Sequence, residues 1–371
     1  MGVSLKANAF FGFLFGVLLL VAQIDLSIGL PIMFLGTALY YSKYFRLDSS
    51  LIDLKIVLIV KIIWIFLIWL TFKTTSMLVL GQTLAVDLIL LSLLFFRIDQ
   101  AFIKNLAVPL AALLLADFLF NLSIYIFGVD PLGRGGALRP GDIIPRVGGL
   151  FGNPFYTVDI AVVGIFCGFI LRSRSIFLLS VANLLINGTF KSPLALISFF
   201  LLFYATKYQV KLGTIIFASV IFAAIVFGLT VYSAGGEKYG GNTLRVVAYI
   251  NAIDNILQNP IFGTHTFRTD PREDMSADII VDYGIAESPY LQYAVDYGVF
   301  AMMLHFYIVF RLLHISYSRF SINALEDKYQ RLALILSGMI FVDTFYGTLF
   351  GSVLMTYFAG ILLLSYTTKN G

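Results

Sequence analysis

The run FFGFLFGVLLLVAQI, residues 10–24, decides the fold class of this chain. It carries no charge and lacks the apolar–polar alternation of a membrane β-barrel strand. A membrane-spanning helix needs roughly 20 apolar residues, and runs of this kind recur along the 371 residues. Apolar residues make up 59% of the chain and charged residues 12%, which excludes a soluble globular enzyme and a disordered chain. The sequence therefore predicts an all-α, polytopic membrane protein.

The charged gaps between the apolar runs predict about twelve spanning helices in one integral membrane domain, residues 1–371. Most of the 25 lysines and arginines fall in short connections on one side, which the positive-inside rule makes cytoplasmic. This predicts cytoplasmic N and C termini and two large outer, periplasmic loops, residues 128–155 and 233–288. The predicted spans lie near residues 7–24, 27–43, 55–72, 76–96, 103–127, 156–171, 175–189, 192–207, 212–232, 289–313, 330–346 and 349–367.

The composition argues against several kinds of partner. Cys167 is the single cysteine, so no intramolecular disulfide can form, and three histidines are too few for a multi-histidine metal centre. The net charge of +4 is spread along the chain, without the basic stripe of a nucleic-acid-binding protein. We expect no cofactor, no metal ion and no nucleic acid.

Several ionisable side chains fall within the predicted spans. Such side chains are costly in lipid and usually pair or face the bundle interior. Lys61 and Asp87 lie in neighbouring spans and are predicted to form a structural pair. A series of aspartates would also suit proton-coupled transport, but their irregular placement favours packing roles. The aspartates are Asp87, Asp117, Asp159, Asp296 and Asp343.

The first outer loop combines arginines with glycines. Guanidinium groups bind phosphate oxygens in a bidentate manner, and glycines let the backbone approach a ligand closely. Arg134, Arg139 and Arg146 therefore predict an anion site at the outer membrane surface. The alternative for Arg134 and Arg139 is a flexible loop with solvated side chains. Function is favoured for Arg146 because of the stretch RVGGLFGNPFY that it opens, residues 146–156.

The second outer loop predicts a short helix from Asn242 to about Pro260. Its polar side chains fall on one face, and Arg245 lies about 120° from Asn251 at 100° per residue. The helix dipole disfavours a cation in the first turn, whereas an arginine beside a helix N-terminus forms a good anion site. The alternative is an arginine paired with a nearby carboxylate. The polar face comprises Asn251, Asp254, Asn255 and Gln258.

Four stretches, in order, resemble motifs of the bacterial O-antigen polymerase and ligase superfamily. They are RVGGLFGNPFY (146–156), NGTFKSP (187–193), RVVAYINA followed by NPIFG (245–263), and ESPYLQYAVDYG (287–298). The chain departs from the family pattern at four positions. Phe155 replaces a frequent asparagine, Lys191 the usual arginine, His265 a common glycine, and Glu287 the histidine that is typical of ligases.

The resemblance implies a membrane glycosyltransferase of the GT-C class that needs no metal. It implies undecaprenyl-diphosphate-linked oligosaccharides as donor and acceptor, membrane lipid as surroundings, and a site on the periplasmic face of the bacterial inner membrane. A polysaccharide chain-length regulator is a further implied partner. An acidic residue at the position of Glu287 is common in polymerases of this superfamily, so O-antigen polymerase is the predicted activity.

The predicted site residues divide into two groups. Glu287 is the candidate base for the incoming sugar hydroxyl, while Arg146 and Arg245 stabilise the departing diphosphate. The residues expected to contact diphosphate or sugar are Lys191, Arg139, Arg134, Tyr249, His265 and Tyr290. For Lys191 the alternative is an interfacial lysine that reaches water, and for Glu287 it is helix capping.

Three other functions remain as alternatives. An O-antigen ligase would share the donor chemistry and transfer the finished chain to the lipid A core. A flippase or transporter of lipid-linked sugars would be expected to show repeated halves, and the sequence contains no internal repeat. If the chain were a scaffold protein, the arginine-rich loop would have no evident role.

Overall fold

The computed structural model describes residues 9–18, 51–73, 77–95, 98, 100–127, 149–151, 154–187, 189, 191–234, 240–264, 288–322, 328–345, 360 and 362. All the elements within these ranges are helical. They are α1 (Ala9–Leu18), α2 (Ile52–Phe72), α3 (Met77–Leu93), α4 (Gln100–Phe127), a 3-10 turn (Gly149–Phe151), α5 (Pro154–Leu171), α6 (Arg174–Ile186), α7 (Lys191–Lys207), α8 (Leu212–Ala234), α9 (Gly240–Gln258), α10 (Pro289–Ile322) and α11 (Lys328–Asp343).

The described helices confirm the all-α membrane class. Within the described part of the chain, four helical segments are long and apolar enough to span a bilayer: Ile52–Phe72, Gln100–Phe127, Leu212–Leu229 and Tyr290–Phe320, the last of which is interrupted at Gly298. Helices occur at the predicted positions wherever these are described. The span near 27–43 lies outside the described residues, and that near 349–367 is described only at positions 360 and 362. Twelve spans and a GT-C architecture remain predictions.

Helix α5 lies at the centre of the bundle and packs against α4, α6 and α7. It begins at Pro154, whose fixed φ and missing N–H suit the first position of a helix. A Cβ on Gly168 would lie 2.9 Å from the backbone nitrogen of Phe177, so α6 approaches α5 closely. Small residues allow such close packing of helices in membranes. The motif that ends the first outer loop therefore leads directly into the central helix.

Helix α10 is not one straight span. Gly298 has φ 83° and ψ 168°, which breaks the helix there. The ring centroids of Tyr290 and His305 lie 5.7 Å apart, and those of Tyr293 and His305 lie 4.3 Å apart. A continuous helix would separate residues 290 and 305 by about 22 Å, given a rise of 1.5 Å per residue. The prediction of a single span over 289–313 is therefore wrong at its start.

The two parts of α10 instead form a helical hairpin. Its short arm, residues 289–297, folds back along its long arm, residues 299–322. The start of the short arm is buried in the bundle, where the Ser288 hydroxyl donates a hydrogen bond to the carbonyl oxygen of Thr344 at 3.1 Å. The segment that opens the predicted span thus lies beside the end of α11.

Candidate functional site

Backbone hydrogen bonds join the NPIFG segment, residues 259–263, and the residue after it to the turn of the hairpin. The amide of Val299 donates to the carbonyl oxygen of Pro260 at 2.8 Å, and the amide of Thr264 donates to that of Val295 at 2.7 Å. Gly263 has φ +68°, and a Cβ on Gly298 would collide with the carbonyl oxygen of Ile261. Two of the motif stretches, 245–263 and 287–298, therefore meet in one folded unit.

One face of helix α9 packs against the short arm of the hairpin. Ala248 and Ala252 are buried, and Ala252 forms a cluster with Val295 of the short arm. At 100° per residue, position 245 falls about 20° from position 252. The helix begins at Gly240, two residues earlier than expected, so Arg245 lies in its second turn. The argument from the helix dipole weakens there, and the side chain of Arg245 lies outside the described part of the structure.

Tyr249 lies between α8 and the hairpin. Its ring centroid is 5.6 Å from that of Phe227, and it packs against the Ala252–Val295 cluster. Tyr290 is buried on the inner side of the hairpin, with ring contacts to His305, Phe306 and Phe345. Both tyrosines therefore pack within the fold, and their contact with substrate remains a prediction.

A buried carboxylate anchors the end of the first outer loop. Asp117 of α4 accepts hydrogen bonds from the amide of Leu150 at 2.9 Å and from the side-chain amide of Asn183 at 2.9 Å. Gly149 has φ +62°, and a Cβ there would collide with the Asp117 carboxylate and the Thr157 hydroxyl. Asp117 thus fixes the turn three residues after Arg146, a role beyond the packing expected from its position in a span.

Replacing Gly149 with alanine should displace this turn. Left-handed backbone costs a non-glycine residue about 1–2 kcal/mol, and the new methyl group would press on Asp117. We expect a lower melting temperature of the detergent-solubilised protein, measured by intrinsic fluorescence. Gly81→Ala is the matched control, because nothing lies within 4 Å of a Cβ at that helical position. Equal melting temperatures for Gly149→Ala and the unmodified chain would contradict the anchor.

Lys191 has a carboxylate partner that the sequence did not reveal. Its side chain is 7% exposed, and its Nζ lies 3.4 Å from Oδ1 of Asp159, which is 2% exposed. Beside it, the Thr189 hydroxyl donates to the side-chain oxygen of Asn187 at 2.5 Å. Lys191 is therefore neither a free interfacial lysine nor a bare cation. A phosphate bound there would share the Lys191 ammonium group with the Asp159 carboxylate.

The predicted Lys61–Asp87 pair is confirmed. The Nζ of Lys61 lies 2.8 Å from Oδ2 of Asp87, and both side chains are buried, at 0% and 4% exposure. Within the described residues, no group of three His, Cys, Asp or Glu side chains is arranged to hold a metal ion. Five predicted site residues lie outside the described residues: Arg134, Arg139, Arg146, His265 and Glu287.

The region from α5 to the hairpin matches the model of a known protein family. Residues 160–306 match the O-antigen ligase family. This match confirms the resemblance to the O-antigen polymerase and ligase superfamily. No curated protein matches the chain. The matched region ends one residue after His305, so it contains both the α9 helix and the turn of the hairpin.

The family match divides the candidate residues. Lys191, Arg245, Tyr249 and the sequence positions 265, 287 and 290 fall inside it. The arginines of the first outer loop precede it, as do Asp117, Lys61 and Asp87. Sequence reasoning missed the roles of Asp117 and Asp159, although an ionisable residue inside a span is itself the signal that a partner must exist.

Proposed function

We propose that this chain is an O-antigen polymerase, a membrane glycosyltransferase that joins undecaprenyl-diphosphate-linked repeat units. The reaction takes place at the periplasmic face of the bacterial inner membrane. The observation that carries the proposal is the family match over residues 160–306, which includes the folded unit of α9, NPIFG and hairpin turn. The apolar spanning helices supply the membrane setting that a lipid-linked substrate requires.

The proposed step breaks one bond and forms another. The bond between the donor sugar's anomeric carbon and the lipid diphosphate breaks, and a glycosidic bond forms to a hydroxyl of the acceptor sugar. The hydroxyl proton passes to Glu287, a carboxylate that can act as general base within hydrogen-bond reach. The departing undecaprenyl diphosphate carries the electron pair of the broken bond. The reaction is a direct transfer and uses no metal ion.

Fixed cations would lower the barrier by stabilising the departing diphosphate. Arg245 is one of them, because its position falls about 20° in helical projection from the buried Ala252, two turns earlier in α9. Arg146 is the second, since Asp117 holds the turn that follows it through the amide of Leu150. Lys191 assists from the start of α7, where Asp159 already fixes its ammonium group.

The faces of α9 support a site at the boundary between membrane and water. Ile250, Ile253 and Leu257 are exposed and form one apolar stripe at helical spacing. Asp254 and Gln258 are also exposed. An amphipathic helix with these faces lies in the membrane interface, with its apolar stripe in contact with lipid. Sugars linked to a membrane lipid are presented at this depth.

A ligase is the second candidate, because the matched family is described by that activity. A ligase would use the same donor and transfer the finished chain to the lipid A core. Glu287 favours the polymerase, since a histidine is typical of ligases at that position. The two activities differ only in the acceptor, so the acceptor decides between them.

Deletion and complementation test the proposed function. In a strain that lacks its own copy of the chain, surface polysaccharide is resolved by length on a gel. If the protein is a polymerase, its deletion removes all polysaccharides longer than one repeat unit from the ladder, and complementation with the intact protein restores them. Loss of all capped lipopolysaccharide would identify a ligase instead. Lipid-linked units that accumulate on the cytoplasmic side would identify a flippase.

A further inference from the structure

A buried lysine joins three parts of the bundle. Lys61 of α2 is 0% exposed, and besides Asp87 of α3 it contacts both arms of the hairpin. Its Nζ lies 3.1 Å from Nδ1 of His305 on the long arm. The same Nζ lies 3.9 Å from the ring centroid of Tyr293 on the short arm. The ammonium group therefore stands where the two arms meet.

The contacts to the hairpin exceed what charge compensation requires. A buried ammonium group is costly unless it is paired, and Asp87 alone supplies the opposite charge. An ammonium group carries three hydrogens and can only donate. Nδ1 of His305 is then the acceptor, so the proton of this neutral imidazole lies on Nε2. The remaining hydrogen faces the ring of Tyr293 in a cation–π contact.

We propose that Lys61 is a positioning residue that holds the short arm of the hairpin against its long arm. This inference rests on the proposed function for its consequence, because the short arm begins two residues after Glu287, the proposed base. Tyr293 and His305 are the points at which Lys61 acts on the two arms. A shift of about 1 Å in a catalytic group can cost about 10²-fold in rate.

The two tryptophans of the chain provide a local reporter. The indole N–H of Trp64 donates to the carbonyl oxygen of Tyr297 at 3.0 Å, and its ring stacks on Phe262 with centroids 5.8 Å apart. This contact is one helical turn from the contact between Lys61 and Tyr293 on both helices. A Trp69→Phe background leaves Trp64 as the single tryptophan, so its acrylamide quenching reports the seating of the short arm.

The experiment compares variants of the full-length protein in that background. Lys61→Met leaves Asp87 without its cation, so we expect lower thermal stability, at least twofold stronger quenching of Trp64 and loss of the polysaccharide ladder. The double variant Lys61→Met/Asp87→Leu removes both charges. We expect it to regain most of the melting temperature but to keep the stronger quenching and about 10²-fold slower chain growth. Lys55→Met is the matched control, a buried lysine on the same helix that contacts Phe95.

Two results would overturn the role of Lys61. One is a double variant whose Trp64 quenching equals that of the unmodified background and whose polysaccharide ladder is full. Lys61 would then be only a charge partner of Asp87. The other concerns His305→Phe, which keeps the charges of Lys61 and Asp87 and so leaves no buried ion unpaired. If Trp64 is quenched equally in this variant and in the unmodified background, the link from Lys61 to the long arm is contradicted. If the intact chain itself extends no polysaccharide, the proposed function fails, while the quenching still tests Lys61.

Discussion

Replacement of Gly298 with alanine will disrupt the hairpin and abolish chain elongation. Its φ of 83° with ψ of 168° lies in a backbone region that is essentially restricted to glycine, at a cost of about 1–3 kcal/mol for other residues. A Cβ would also collide with the carbonyl oxygen of Ile261. Relief of that collision must move the turn away from Pro260 and break the hydrogen bond from Val299. Thermal unfolding and the polysaccharide ladder measure the two effects.

Gly213→Ala is the control for this substitution. Gly213 lies within α8, and nothing lies within 4 Å of a Cβ at its position. Alanine favours a helix over glycine by about 0.8–1 kcal/mol, so the control should fold and elongate chains as the unmodified protein does. A Gly298→Ala protein with an unchanged melting temperature and a full ladder would show that the hairpin turn tolerates a side chain.

Arg245→Ala should strongly lower the elongation rate without loss of protein. Removal of one electrostatic donor from a preorganised site typically lowers the rate by about 10²–10³-fold. The position falls about 20° in helical projection from the buried Ala252, and the packing that holds α9 to the hairpin involves Ala252 and Val295. Elongation rate and protein abundance in the membrane are measured together. Arg245→Lys should recover part of the rate, since it restores a charge without the bidentate fork.

Arg174→Ala is a suitable control, because that arginine is exposed at the start of α6. It should leave the elongation rate unchanged. Glu287→Ala should match the loss caused by Arg245→Ala, since base and leaving-group stabilisation serve the same step. A full ladder in both Arg245→Ala and Glu287→Ala would refute the assignment of the site.

Helix positions could be predicted from the sequence because lipid imposes a simple length rule. Each span needs an apolar run, and the charged gaps at residues such as Arg172 and Lys207 mark where the runs end. The hairpin could not be predicted in this way. Residues 289–313 contain no proline after Pro289, and an isolated glycine inside a helical run is usually tolerated. Its reversal depends on Pro260 and Ile261, which lie far away in sequence.

Some contacts of the buried polar residues could likewise be predicted from the sequence, and others could not. The Lys61–Asp87 pair was predictable because each charge stands alone in its span and needs a partner. The role of Asp117 was not, since its partner is the backbone amide of Leu150, which carries no sequence signal. Pairing of Lys191 with Asp159 depends on how α5 and α7 cross in the bundle. Side-chain chemistry is readable from the sequence, whereas partners chosen by tertiary packing are not.

Reconstitution tests the central claim most directly. The purified chain is placed in lipid vesicles with undecaprenyl-diphosphate-linked repeat units as the only substrates, and the lengths of the lipid-linked sugar chains are followed with time. We expect products of two, three and more repeat units, with one undecaprenyl diphosphate released for each bond formed. Movement of single units across the bilayer without chain growth, or no growth at all, would contradict a polymerase.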